Sequence, residues 1–396
     1  MRPAMFRVGL SLFLFASTLT PASFGSPLRA RLTASDGKAG DEFGISVAIC
    51  GNMVVVGASD FNSSTLGAAY VYVKGAQGWA NMTETAKLTP SDPAAGAVFG
   101  SSVACYGNTV VVGAPHHSGG EAYVFVEPVS GWSNMTETAR LTASDEGAND
   151  AFGYSVAMYG KTIAVGAPQA SGAFVAQGKA YIFQKPNAGW KTTSAFTAEL
   201  TAPDAQFDSG LGASVSISGN TVAAGAPNGG GPGAAYVFVK PASGWKATSE
   251  SNAELTASNG TSGSAFGSSV SISGNTVAVG AYQVGVGYIF VEPLTGWANG
   301  TETAQVTAVN EGSDFAYSLS LKNNLLVIGS ANDPSNSAVF VYKKPTTGWA
   351  TTSNANDRRT PSVGYGFGFS VAVGGFLVAG SIGENNLQGV AYIYLP

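Results

Sequence analysis

Seven copies of a unit of about fifty residues, four strand signals in each copy, and a final copy lacking its fourth strand predict an all-β fold. Together they specify a seven-bladed β-propeller of four-stranded antiparallel blades, with the N-terminal strand completing the last blade and closing the ring. The unit is clearest from Phe99 to Val126, FGSSVACYGNTVVVGAPHHSGGEAYVFV, and its opening landmark recurs at Phe43, Phe99, Phe152, Leu211, Phe266, Phe315 and Phe367.

Within the unit, the segment around Ser102-Val103-Ala104 reads as a short first strand. Gly107-Asn108 is a two-residue hairpin turn, because these residues accept the positive φ that such turns require. Thr109 to Ala114 is a second strand rich in β-branched residues, and Pro115 ends it by lacking the N–H that a ladder needs. Ala122 to Val126 supplies the third strand, and the fourth follows Gly131-Trp132 as Ala139-Arg140-Leu141-Thr142. Side chains grow from Ser and Ala in the first strand to Tyr123 and Phe125 in the third, which suits a wedge narrow at an axis and broad at the rim. Apolar runs such as Val110-Val111-Val112 suit sheets covered on both faces. The C-terminus stops after a third strand, at Tyr392-Ile393-Tyr394-Leu395-Pro396, while Ala30-Arg31-Leu32-Thr33 is a fourth strand with no first three before it. Pairing the two removes exposed sheet edges, and an open solenoid gives no reason for that split.

Residues 1–25 carry Arg2 and Arg7, an apolar run from Leu10 to Ala16 and then small residues, the pattern of a secretory signal peptide cleaved near Gly25 or Ala22. A retained N-terminal anchor is the alternative. The propeller then occupies 26–396, and no later stretch is apolar enough to span a bilayer, so the mature chain is expected to be soluble and secreted. Loss of Arg2 and Arg7 takes the formal charge from -5 to -7. With no basic stripe, nucleic acid and anionic lipid are poor partners. Cys50 and Cys105 are offset by one residue in the first strands of units one and two, hence on opposite strand faces. Neighbouring blades meet through opposite faces, so in an oxidising compartment the offset suits an inter-blade disulfide; two buried thiols are the alternative. Asn62, Asn81, Asn134, Asn259 and Asn299 head N-x-S/T sequons.

Phe-Gly before the first strand, Ser-Val-Ala within it, and Gly-Ala-Pro ending the second, as at Gly113-Ala114-Pro115, Gly166-Ala167-Pro168 and Gly225-Ala226-Pro227, resemble the FG-GAP repeat family. These are the seven-bladed propellers that include the head domains of integrin α subunits, and this chain is most similar to exported microbial members. The resemblance implies non-catalytic adhesion or protein binding at the loop-rich face. It also implies a question about calcium, which integrin-type repeats hold between the first and second strands. Here that connection is only two residues, such as Gly51-Asn52 or Gly160-Lys161, too few for a cation that takes six to eight oxygens. The loops leading into the first strands, with Asp36, Asp41, Asp145, Asp150, Asp204, Asp208 and Asp314, are the remaining places for calcium, against a plain turn-forming role.

His116 and His117 are the only histidines. With Glu121 nearby they suit a transition metal or acid–base chemistry, yet vicinal side chains diverge and no third ligand is spaced for it; a solvated loop pair is the alternative. No cofactor, no metal and no catalytic constellation is expected. The six tryptophans, Trp79, Trp132, Trp190, Trp245, Trp297 and Trp349, share one repeat position, where they either pack the blade or stack on sugars. Between copies, only the loop after the second strand varies strongly, at 60–66, 116–120, 169–177, 228–233, 283–285, 332–336 and 383–388. Variable loops on a rigid scaffold are a common binding surface, although drift leaves the same trace. The residues expected to meet a ligand on this face are Asp60, Phe61, His116, His117, Phe174, Asn228, Asn332, Asp333 and Glu384. A protein-binding scaffold is the leading expectation, with a multivalent carbohydrate-binding propeller and a secreted hydrolase or lyase as alternatives.

Overall fold

In the computed structural model the described residues are 28–59, 66–228, 230–309, 313–331, 337–361 and 366–395. The signal-like segment 1–25 and the loop residues Asp60, Phe61, Asn332 and Asp333 lie outside them. Blade 2 shows the common unit: strands Ser102–Tyr106, Thr109–Ala114, Glu121–Val126 and Ala139–Leu141, each antiparallel to the next. The two-residue turns form as their chemistry demands, with φ near +60° at Gly51, Gly107, Gly160, Gly219 and Gly274. Seven such sheets arise, all antiparallel at their four principal strands. In blade 7, Phe367–Val373, Leu377–Ser381 and Val390–Tyr394 are completed by Leu28–Thr33, with Arg31 opposite Tyr392 and Leu32 opposite Ala391. The ring is therefore closed by the N-terminal strand.

The core lies between blades. The landmark aromatics Phe99, Phe152, Phe266, Phe315 and Phe367 are fully buried, and each meets an aromatic of the third strand edge-on or tilted, as Phe99 does Tyr123 at 5.2 Å. The glycine after the landmark takes positive φ, +97° at Gly100 and +90° at Gly153. Its carbonyl accepts a bond from the first-strand serine of the preceding blade: Ser46 Oγ donates to Gly100 O, Ser102 Oγ to Gly153 O and Ser370 Oγ to Gly44 O, each at 2.7 Å. The same carbonyl lies against the Gly-Ala-Pro glycine of that preceding blade, so a Cβ on Gly113 would stand 2.0 Å from Gly153 O. The two glycines of the repeat are thus the two sides of one seam, touching between blades.

Blade 6 departs from the rule, with Ala316 in the glycine place at φ +67°. Left-handed backbone costs a residue with a Cβ roughly 1–2 kcal/mol, so Ala316→Gly is expected to stabilise the protein by about 1 kcal/mol, read from the midpoint and slope of urea unfolding.

Along the innermost strands the seams differ. Between blades 4 and 5, 5 and 6, and 6 and 7, serine side chains accept neighbouring amides: Ser216 from Ile272, Ser271 from Leu321, Ser320 from Val373. Between blades 2 and 3, Tyr106 and Tyr159 meet as a tilted ring pair with centres 5.1 Å apart. Between blades 1 and 2, Cys50 and Cys105 form a disulfide with their Cα atoms 6.0 Å apart. At the rim, the segment after each Gly-Trp runs beside the fourth strand of the preceding blade. Met82 and Thr83 pair in parallel with Leu32 and Thr33, and Met135 bridges Leu88. Three of the sequon asparagines hold this strap, since Asn81, Asn134 and Asn299 accept the backbone N–H of Arg31, Lys87 and Glu254 respectively. Glu84, Glu137 and Glu302 then take the amide and hydroxyl of Ser35, Ser91 and Ser258. Among the described residues no helix is long and apolar enough to cross a membrane.

Candidate functional site

In blades 1 to 4 the middle residue of the fourth strand faces a tyrosine of the third strand: Lys87 opposite Tyr70, Arg140 opposite Tyr123, Glu199 opposite Tyr181 and Glu254 opposite Tyr236. An acidic residue from the turn that leads into the blade completes each group. Tyr70 donates to Asp36 at 3.0 Å, Tyr123 to Asp92 at 3.1 Å, Tyr181 to Asp145 at 3.2 Å and Tyr236 to Asp204 at 2.6 Å. Burial, with the adjoining carboxylates, pushes these phenols up and keeps them as O–H donors. Three groups contain a cation. Lys87 binds Asp36 and Lys179 binds Asp145, both at 2.5 Å, and Arg140 pairs with Asp92. Burial works against ionised Asp36 and Asp145, but their lysines hold both carboxyls below the usual range. In blades 1, 2 and 3 the acidic turn is therefore engaged by the protein's own cation. Asp41 and Asp150 cap their own turns by accepting the Lys38 and Gly147 amides.

Blade 4 has two carboxylates and no cation in this place. Asp204 and Glu254 line a cleft of about 160 Å3 with Tyr236 and Asn228, and burial together with Asp204 pushes the Glu254 carboxyl up from 4.5. A carboxyl with a raised folded-state pKa binds its proton preferentially in the folded protein. Its contribution is present below the unfolded pKa and lost as pH rises through the folded value. Glu254→Lys, which copies Lys87 of blade 1, is expected to remove that loss and to raise stability at neutral pH. Because the site is solvent-accessible the gain stays below about 1 kcal/mol, and melts of both proteins across the weakly acidic range read it.

Above these clefts the loops of blades 2, 3 and 4 form one collar. In these blades the loop after the second strand bonds to the turn leading into its own blade and to that of the next. His116 N donates to Ala97 O and Phe152 N to Gly119 O; Asn228 N donates to Ser209 O and Phe266 N to Pro232 O. At the loop-face end of the innermost strands, Tyr154, half exposed, shares a cleft of about 260 Å3 with Gln169, Asp208, Asn228 and Tyr282. Tyr282, Tyr317 and Phe369 continue as an aromatic series with ring centres 5.5 and 4.9 Å apart. To one side stand Phe174, 47% exposed, and Val175, 62%; the Asp208 amide donates to Val175 O at 3.0 Å and brings Phe207, 67% exposed, to the same shelf.

The ligand-facing residues expected from sequence are divided by this geometry. His116, Phe174 and Asn228 are displayed on the collar. His117 is half-buried, with Nδ1 3.3 Å from Glu121 Oε1 and 3.5 Å from the Tyr123 hydroxyl. Glu384 is 5% exposed and works in ring closure, binding Arg31 Nη2 at 3.0 Å and accepting from the Tyr392 hydroxyl. Sequence reasoning missed Asp92, Arg140, Tyr154, Phe207 and Tyr282. Asp92 was recoverable, since Leu88-Thr89-Pro90-Ser91-Asp92 aligns with Leu32-Thr33-Ala34-Ser35-Asp36. The tryptophans pack seams: Trp132, Trp190, Trp245 and Trp349 are 6 to 8% exposed, and Trp79 of blade 1 meets Phe376 of blade 7 at 5.1 Å.

No curated protein sequence matches the chain. Among solved structures, the WD40 domain of Toxoplasma gondii coronin superposes with a TM-score of 0.55 at 12% identity, covering 94% of this chain and 84% of that one, a likeness of fold alone. The model of the FG-GAP repeat matches at residues 28–72, 82–125, 135–183, 195–238 and 250–287. Each match starts at or before a fourth strand and runs into the third strand of the following blade, so it spans one of the seams described above. Its matches cover more than half of the sequence, and the chain belongs to the FG-GAP repeat family.

Proposed function

We propose that this chain is an exported, non-catalytic recognition scaffold that binds a protein partner through the loop face. The carrying observation is that a collar hydrogen-bonded from blade to blade presents Phe174, Val175, Phe207 and Tyr154 together on the face whose loops differ most between copies. Large apolar side chains gathered on a rigid surface mark interaction sites more than scattered ones do. Family membership supports the same reading, and the disulfide suits an oxidising compartment. The tryptophan position gives little support to carbohydrate stacking, because its rings are spent on blade packing.

A photo-crosslinking residue placed at Phe174 or Phe207, and separately at the fully exposed Val129, tests this in the exported fraction of the producing cells. Discrete protein adducts are expected from the two loop-face positions and not from Val129. Equal or absent adducts at all three positions would dismiss the loop face as the partner surface.

A further inference from the structure

The chain's two histidines fall in one loop, and the fold delivers to that loop the third ligand which sequence spacing lacks. Asp92 arrives from the turn between blades 1 and 2, His117 from the loop after the second strand of blade 2, and Glu121 from the start of its third strand. One ligand atom from each lies within 4.8 Å of the other two. In blades 1, 3 and 4 the corresponding groups are Asp–Tyr–Lys or carboxylate pairs, with no imidazole.

We propose that Asp92, His117 and Glu121 form a binding site for a divalent transition-metal ion of the zinc type, bridging blades 1 and 2 on the loop face. Zinc accepts imidazole nitrogen and carboxylate oxygen at 2.0–2.2 Å, which sets the edge of its tetrahedron at about 3.3 Å. His117 Nδ1 and Glu121 Oε1 stand 3.3 Å apart. Glu121 is 9% exposed, and its Oε2 is buried without accepting a hydrogen bond. That oxygen lies 3.8 Å from Arg140 Nη1 as an ion pair, while Oε1 is the oxygen that faces His117 Nδ1. The outer groups that such a site needs are also there. Arg140 pairs with Asp92 through Oδ2, leaving Oδ1, which now accepts from Tyr123, as the coordinating atom. With neutral His117, the two carboxylates and Arg140 sum to one negative charge, which a divalent ion converts to one positive charge. Imidazole among the ligands selects zinc, cobalt or nickel over calcium, which takes six to eight oxygens.

The test is titration of the full mature chain, first stripped with a chelator, with ZnCl2 by calorimetry and with CoCl2 by visible absorption; CaCl2 is the comparison. Zinc is expected to bind at a single site, cobalt to give the intense bands of tetrahedral coordination, and calcium to give no heat at the same concentration. His117→Ala and Glu121→Gln are each expected to weaken zinc at least about 10-fold, while His116→Ala binds like the parent. Should His117→Ala fail to fold by circular dichroism, Asp92→Asn carries the same comparison. The site is refuted by absence of zinc binding to the parent protein, by unchanged affinity in the folded His117 or Asp92 variant, or by calcium binding as tightly as zinc.

Discussion

Gly113→Ala is expected to cost the protein about 3 kcal/mol, the upper end for forcing one methyl group into a close-packed site. The reason lies between blades rather than within one. Gly113 does not adopt positive φ, so alanine is compatible with its backbone. The new Cβ, however, would stand 2.0 Å from Gly153 O and 2.3 Å from Ser102 Oγ, both held in place by their own hydrogen bond of 2.7 Å. Relief requires the third blade to move away from the second, opening a seam that also buries Phe152, Val111 and Val165. Gly131→Ala is the matched comparison. Its φ of +87° makes alanine strained, but nothing lies within 4 Å, so its cost is about 1–2 kcal/mol from backbone alone. Ser102→Ala, which only removes the seam hydrogen bond, is expected to cost about 1 kcal/mol. Urea unfolding of the three variants ranks these contributions. A Gly113→Ala protein as stable as the parent would mean that the seam is not close-packed.

Breaking the Cys50–Cys105 bridge is expected to have the other large effect. The bond closes a loop with a sequence separation of 55 between the first strands of adjacent blades. In the chain-entropy account such a loop stabilises the folded state by about 4 kcal/mol, through the freedom it removes from the unfolded chain. The Cys50→Ala/Cys105→Ala protein should therefore melt well below the parent, and a reducing agent should lower the parent toward the variant without affecting the variant itself. The seams between blades 4 and 7 rely on serine-to-amide bonds instead, each contributing about 1 kcal/mol, so Ser271→Ala is a smaller perturbation of the same kind of contact. If the reduced parent melts with the oxidised one, the unfolded state is already compact around blades 1 and 2, and the entropic account fails here.

The repeat, the strand order and the closure were legible in the chain because each is local or periodic. The Gly-Asn turns, Pro115 and the missing fourth strand at Tyr394 act over a few residues, and seven copies reinforce one another. The offset of Cys50 against Cys105 could also be read, since strand alternation assigns a face to each residue. What the copies did not reveal was which side chains meet across a seam. Ser102 and Gly153 are 51 residues apart, and Arg31 and Glu384 are 353 apart; each pair meets only because of the angle between neighbouring blades. The sequence by itself therefore determined the number of blades and their internal order. Only the tertiary structure decided that Glu384 is buried in ring closure, that Asn81, Asn134 and Asn299 strap adjacent blades, and that Asp92 joins His117 and Glu121. Short-range pattern specifies a blade, while the groups available for chemistry on the loop face are set by how one blade lies against the next.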